Sequence, residues 1–297
     1  MARTAFQVLS ALCLFSLSIG FPGNETVGQL FENVGWLPSA LAQVTEDLVP
    51  RDVTFQPKAG DTFNMQLSVL PTVAQANDQS YHVWDYDLFS APESLIKAFQ
   101  DKGHPVICYF SAGSWENWRA DADQFPKSAL GKGLDGWPGE KWLDVRNPNV
   151  RSIMAARIKM AADKGCDAVD PDNVDGYSNP TGFNLTKADL VSYLKFLAKE
   201  AHSHGMACGL KNGGDILKQV VDVMQFSVNE QCVQYNECNL YQPFIAQNKP
   251  VFNIEYTEKS PAPPAFVTKS CTNEGAKGFS TLVKHLSLDA WTTKCPK

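Results

Sequence analysis

From residue 55 onward, short runs of β-branched and aromatic residues alternate with longer amphipathic stretches. That alternation predicts βα units and a parallel sheet. Eight runs have strand character, at 63–67, 82–86, 106–110, 168–172, 207–210, 225–228, 251–255 and 278–282. Eight is the strand number of a (β/α)₈ barrel. A doubly wound open sheet would carry a glycine-rich phosphate loop after its first strand, and no such loop follows residue 67. Between strands, 150–164 places Val150, Ile153, Met154, Ile158 and Ala161 on one helical stripe, with Gly165 as its stop. Thr186 and Asp189 have the spacing of an N-cap box, and Leu190, Tyr193, Leu194, Leu197 and Ala201 continue an apolar face toward Gly205. Another helix is expected from Asp215 through Val223. The connection 68–81 has no helical pattern, which predicts an irregular barrel there. The segment 111–149 is the longest strand-to-helix excursion; it is rich in Trp, Gly and Pro and should lie over the C-terminal face of the strands.

Composition narrows the picture. The 297 residues suit a single-domain barrel, and 44% hydrophobic with 20% charged residues describes a globular chain with a sizeable core. A formal net charge of −6 and the lack of a Lys/Arg cluster argue against nucleic acid as a partner. At the N-terminus, Arg3, an apolar stretch over 6–19 and the small residues Ser18 and Gly20 resemble a secretory signal. That stretch is too short and poorly flanked for a membrane span, so no membrane contact is expected. The expected organisation is a signal peptide over 1–20, an extension without clean period over 21–54, and the barrel over 55–297. A secreted monomer is expected, with glycosylation sequons at Asn24 and Asn184.

Eight cysteines in an oxidising compartment predict disulfides. Cys13 leaves with the signal. Spacing leaves the connectivity open; the candidate pairs are Cys232 with Cys238, which would clamp the loop after the sixth strand, Cys271 with Cys295, which would staple the C-terminal segment, and Cys108 with Cys166, on or just before neighbouring strands. Cys208 then remains as a buried thiol.

Candidate chemistry gathers in DPDNVDGY (170–177) and SVNEQC (227–232). Strand alternation puts Ala168, Asp170 and Asp172 on one face, with Asp170 lower in the barrel and Asp172 at its mouth. Glu230 follows the sixth strand, within reach of the same mouth. Two facing carboxyls are what glycoside hydrolysis requires, one as acid and the other as nucleophile or base. Asp175, beside Gly176, suits a turn, while Asp170 divides evenly between a structural carboxyl and a support for Asp172 or Asn173. Asp85 and Asp87, Tyr109 and Ser111, Lys211 and Asn212, and Glu255 and Tyr256 end the second, third, fifth and seventh strands. Gathered at one edge they are candidate substrate contacts, and Lys211 would hold neighbouring carboxyls ionised or bind hydroxyls. Of Trp115, Trp118, Trp137 and Trp142, one or two should fill the excursion's own core; at least one, with Trp115 the named candidate, should line a groove for sugar faces. The five histidines lack ligand spacing, so no metal or cofactor is expected, and no GxSxG elbow occurs.

With these residues in place, the chain resembles glycoside hydrolase family 114, the fungal and bacterial endo-α-1,4-polygalactosaminidases. The resemblance spans about 55–283 and rests on FQPKAGDTFNMQLS, WDYDLF, VICYFSAGSWENWR, GWPGEKWLDVR, GCDAVDPDNVDGY, GLKN, FSVNEQC and FNIEY. It implies a (β/α)₈ barrel, hydrolysis of α-1,4-linked galactosamine, a catalytic aspartate matching Asp172 and a catalytic glutamate matching Glu230. The expected mechanism is retaining, with Asp172 as nucleophile and Glu230 as acid and base. A mouth made anionic by Asp85, Asp87 and Glu255 would suit an extracellular, cationic, galactosamine-rich polysaccharide. Exo-action on terminal α-galactosides and non-catalytic carbohydrate binding at a cell wall are the alternatives.

Overall fold

The computed structural model describes residues 52–295, so the expected signal, almost all of the extension and Asn24 lie outside the described residues. Strands β1 (Phe63–Gln66), β2 (Val83–Asp87) and β3 (Val106–Ser111) pair in parallel, with helix α1 (Glu93–Gln100) between the last two. The excursion then forms a small antiparallel sheet of β4 (Ser114–Glu116), β5 (Leu130–Gly133) and β6 (Glu140–Leu143). Helix α2 (Pro148–Asp163), β7 (Ala168–Asp172), helix α3 (Lys187–Ser203), β8 (Ala207–Lys211) and β9 (Phe226–Glu230) follow. Two short helices, α4 (Cys232–Tyr235) and α5 (Gln242–Ala246), precede β10 (Val251–Tyr256); helix α6 (Pro264–Cys271) precedes β11 (Ser280–Lys284), and β12 (Thr292–Lys294) returns antiparallel. The eight parallel strands stand in sequence order, β1-β2-β3-β7-β8-β9-β10-β11, which is the order of a (β/α)₈ barrel.

Paired residues of a parallel ladder share a face, so the registers identify the inside. Tyr109 pairs with Asp87 and Asp170, Ser111 with Asp172, Lys211 with Val228, Glu230 with Ile254, and Tyr256 with Lys284. Lower on that face, Phe63 stacks on Phe252 with centroids 4.7 Å apart, and Phe226 lies 5.8 Å from Phe252. These rings fill the barrel floor. A Cβ on Gly209 would stand 2.3 Å from the Phe226 ring, so glycine there makes room for it. The sheet curls until Leu67 N–H donates to Leu288 O (2.9 Å) and Lys284 Nζ donates to Asn64 Oδ1 (3.3 Å).

The helices cover the outer face as their periodicity predicts. Helix α2 buries Val150, Ile153, Met154, Ile158 and Ala161, with Asn147 as N-cap and Pro148 in its first turn. Helix α3 carries the complete Thr186/Asp189 capping box. The expected helix from Asp215 through Val223 is a 3₁₀ turn, Leu217–Gln219. Val220, Val221 and Val223 are stiff at χ1 and poor helix formers, and the turn has no side-chain cap. The connection after β1 likewise holds one 3₁₀ turn, Val73–Asn77. Strands β8 and β9 run past their expected ends at 210 and 228, which brings Lys211 and Glu230 into the sheet. All three candidate disulfides form, Cys108–Cys166, Cys232–Cys238 and Cys271–Cys295, and Cys208 is a buried free thiol. Among the described residues, no helix is long and apolar enough to cross a membrane.

Candidate active site

A cleft of about 640 Å³ opens at the C-terminal ends of the strands. Its floor includes Tyr109, Asp172, Lys211, Asn212, Glu230 and Tyr256, and one wall is the excursion, through Glu116, Trp118, Trp137, Glu140 and Trp142.

Three adjacent strands end by one device. Asp172, Lys211 and Glu230 are each the last residue of a strand, and each is followed by a left-handed residue: Asn173 (φ 59°), Asn212 (φ 51°) and Gln231 (φ 62°). The left-handed turn swings the backbone away, so the last side chain stands at the mouth. Asparagine accepts this conformation more readily than most residues. The turn after Asp172 is held from above. Ala112 and Gly113 N–H groups donate to Asp172 O (2.9 and 3.0 Å), and a Cβ on Gly113 would fall 1.7 Å from Asn173 O. Glycine at 113 therefore lets the excursion sit directly on the turn.

Asp172 is well supplied with donors. Tyr109 OH donates to Oδ2 at 2.8 Å, Asn173 N–H donates to Oδ1 at 2.7 Å, and Lys211 Nζ stands 3.1 Å from Oδ1. Glu230 accepts from Tyr256 OH at Oε1 and from Asn212 Nδ2 at Oε2 (3.0 Å), with Lys211 Nζ 3.4 Å from Oε2. The Glu230 N–H in turn donates to Asn212 Oδ1 (2.9 Å). Burial opposes the Lys211 charge, but Asp172, then Glu230 and Asp170, outweigh it and hold its pKa above the lysine range. Burial, reinforced by the adjacent carboxyls, pushes the Tyr109 and Tyr256 hydroxyls well up, so both remain neutral donors. Beyond Glu230, the Cys232–Cys238 bridge closes the loop as expected.

Several expected contacts stand elsewhere. Glu255 lies on the opposite face of β10 from Tyr256, points outward, and accepts Val233 and Gln234 N–H (2.8 and 3.3 Å) at the start of α4. Asp85 and Asp170 face inward but are sealed below the cleft, at 1% and 0% exposure, and do not line it. Asp87 lines the cleft, but Arg119 (2.7 Å) and Ser90 N–H (2.8 Å) occupy its oxygens. Trp115 alternates away from Ser114 and Glu116; its Nε1 donates to Ala122 O (3.0 Å) inside the excursion. Trp118, Trp137 and Trp142 line the cleft in its place. Lys211, Asn212, Tyr109 and Tyr256 line the cleft.

Other cleft residues escape the sequence pattern. Asp175, expected as a turn residue, starts the Gly176–Ser178 turn and also lines the cleft. Glu116 pairs with Arg119 (2.8 Å). Burial pushes Glu140 up to about 7, with Ser114 opposing through its hydrogen bond and Glu116 and Asp172 adding to the rise. Both glutamates sit on strands of three and four residues whose hairpin includes Gly131, Lys132 and Gly133, a composition with little strand signal. Among the described residues, no cluster of three His, Cys, Asp or Glu side chains suits a metal ion.

Residues 46–297 match the profile of glycoside-hydrolase family GH114. The crystal structure of Aspergillus fumigatus Ega3 in complex with galactosamine is similar at 46% identity, covering 82% of this chain and 98% of that one, with a TM-score of 0.78. The glycoside hydrolase domain of PelA from Pseudomonas aeruginosa shares the fold at 14% identity, covering 78% of this chain and 98% of that one, with a TM-score of 0.62. No curated protein matches the chain.

Proposed function

The chain belongs to glycoside-hydrolase family GH114 and is a glycosidase; from that premise we propose that it cleaves α-1,4-galactosaminidic linkages within a polysaccharide by a retaining mechanism, with Asp172 as nucleophile and Glu230 as acid and base. The observation that carries this reading is the position of Lys211. Its Nζ is 3.1 Å from Asp172 Oδ1 and 3.4 Å from Glu230 Oε2, so those oxygens are at most 6.5 Å apart, the sum of the two distances. Retaining pairs stand about 5–5.5 Å apart, and inverting pairs begin at about 6.5 Å.

The supports fit the two steps. Asp172 attacks the anomeric carbon while Glu230 gives its proton to the leaving oxygen, and the C–O bond breaks. Glu230 then takes a proton from water, which attacks the same carbon and frees Asp172. Negative charge thus moves from Asp172 to Glu230 and back. Lys211 touches both, so its ammonium keeps a carboxylate partner throughout. Tyr109 and Tyr256 donate to one carboxyl each and keep it aimed.

The cleft favours an amino-sugar polymer. The similar Aspergillus fumigatus protein was solved with galactosamine. Here the wall carries Glu116, Glu140 and Asp175, a negative set that suits an ammonium-bearing sugar. Trp118 and Trp137 leave 55% and 51% of their surface exposed at the cleft, offering faces for further sugars, as internal cleavage requires. Three disulfides and the exposed Asn184 sequon support a secreted, glycosylated protein. Digestion of a deacetylated galactosamine polymer tests the reading. Oligomers are expected; monosaccharide alone would point to exo-action, and an undigested polymer to binding without catalysis.

A further inference from the structure

Beside the cleft, the turns that follow β10 and β11 meet on the barrel rim. Thr257 N–H donates to Lys284 O (2.9 Å) and Leu286 N–H donates to Glu258 Oε1 (3.0 Å), so the two turns are tied side by side. Their contact brings three side chains into a fixed order. Ser260 Oγ stands 2.8 Å from His285 Nε2, and His285 Nδ1 stands 2.8 Å from Asp289 Oδ2. The carboxylate takes the proton on Nδ1, which leaves Nε2 as the acceptor for the Ser260 hydroxyl. The base and its carboxylate are held from outside. Trp291 stacks on the imidazole, with ring centroids 4.3 Å apart and planes 10° apart. Trp291 N–H donates to Asp289 Oδ1 (2.8 Å), and Lys284 Nζ donates to Asp289 O (2.8 Å). The His285 hydrogen bond outweighs burial and holds the Asp289 carboxyl below its ordinary range. A hydroxyl on a base that a third group orients is the mark of an activated nucleophile, and it is defined by geometry rather than by a sequence motif.

We propose that Ser260, His285 and Asp289 form a second catalytic site, a serine esterase that removes small acyl groups from sugar hydroxyls. Its place on the rim selects the substrate. Leu286, Ser287 and Leu288 directly follow His285 and line the cleft, so a polysaccharide bound there passes the exposed Ser260. Leu286, 51% exposed, offers an apolar surface to the acyl group. Ser260 Oγ attacks the ester carbonyl, and its proton passes to His285 Nε2. The C–O bond to the sugar breaks, and that proton leaves on the sugar oxygen. Water then attacks the acyl-serine and gives a proton to His285. His285 returns it to Ser260 Oγ as the carboxylic acid departs. The Ser260 N–H has no partner among the described residues and is free for the oxyanion, as the nucleophile's own N–H is in serine proteases. Pro261 has no N–H to add a second donor, which favours esters, with their better leaving group, over amides.

An alkyl fluorophosphonate tests the nucleophile without any polymer, since an activated serine displaces fluoride from its phosphorus. One adduct on Ser260, located by peptide mass spectrometry, is expected, and Ser260→Ala should abolish it. His285→Gln and Asp289→Asn should each slow labelling by at least about 10²-fold, with thermal melting to confirm that they fold. Turnover is read with para-nitrophenyl acetate and by acetate release from an O-acetylated polysaccharide, and should fall in the same variants. No adduct on Ser260, or one formed as fast in His285→Gln, would overturn the assignment. So would ester hydrolysis that persists in Ser260→Ala, where the imidazole acts alone, or an acyl burst that stops after one equivalent. Neither assay requires cleavage of a galactosaminidic bond, so the esterase and the glycosidase readings stand or fall separately.

Discussion

Two pairs of carboxyls face the inside of this barrel under opposite conditions. Asp172 and Glu230 stand at the mouth, each with a tyrosine hydroxyl, another donor and a share of the Lys211 ammonium. Asp85 and Asp170 stand one layer down, and none of their four oxygens has a protein partner. Burial pushes both lower carboxyls up, Asp170 to about 7; Lys211 pulls against it and Asp172 adds to it. An ionised carboxylate only accepts hydrogen bonds, so without donors the lower pair favours holding protons. Only two residues along β7 separate Asp170 from Asp172. Inward burial alone therefore does not separate the two pairs. Donors and an open cleft do, and the lower pair has neither.

Removal of the upper carboxyls separates the two pairs by the largest effect. Asp172→Asn and Glu230→Gln should each lower turnover by at least about 10²- to 10⁴-fold with little change in melting temperature. Reducing-end release and thermal melting measure the two effects. The same changes at Asp85 or Asp170 should leave most of the activity. Lys211→Met comes next, since it leaves two facing carboxyls without a cation; a loss of about 10²-fold in kcat is expected.

A smaller effect sharpens the lower pair through stability against pH. Asp170 has an ordinary carboxyl pKa of 3.8 and a folded value of about 7. The folded state therefore binds more protons between those values, and stability falls as pH rises from about 4 to about 7, then levels. Asp170→Asn should flatten that slope and melt at least a few degrees above wild type at pH 8. An unchanged slope would mean that Asp170 is ionised in the fold. The smallest effect belongs to the wall: Trp137→Ala should weaken polymer binding several-fold, whereas Trp115→Ala should lower stability and leave binding unchanged, as inhibition by oligomers and melting would show.

Much of this is legible in the sequence. Eight β-rich runs separated by amphipathic stretches carry the barrel, and the two-residue period of the run 168–172 is enough to set Asp170 below Asp172. Alternation also explains two misplacements. Glu255 and Tyr256 are neighbours on one strand and so face opposite sides, and Trp115 faces away from Ser114 and Glu116 for the same reason. The left-handed turns after Asp172, Lys211 and Glu230 leave little trace, because two asparagines and a glutamine are ordinary loop residues. Glu140 is hidden in the sequence because the short, glycine-flanked strands of the excursion owe their form to packing on the barrel mouth rather than to local propensity.

The proposed retaining role of Asp172 and Glu230 is tested most directly by the anomeric form of the first product. Proton NMR of the reducing end released from α-1,4-linked galactosamine oligomers should show the α-anomer first, with the β-anomer appearing later by mutarotation. A β-anomer at the earliest times would mean direct attack by water, and would contradict Asp172 as a nucleophile paired with Glu230 across Lys211.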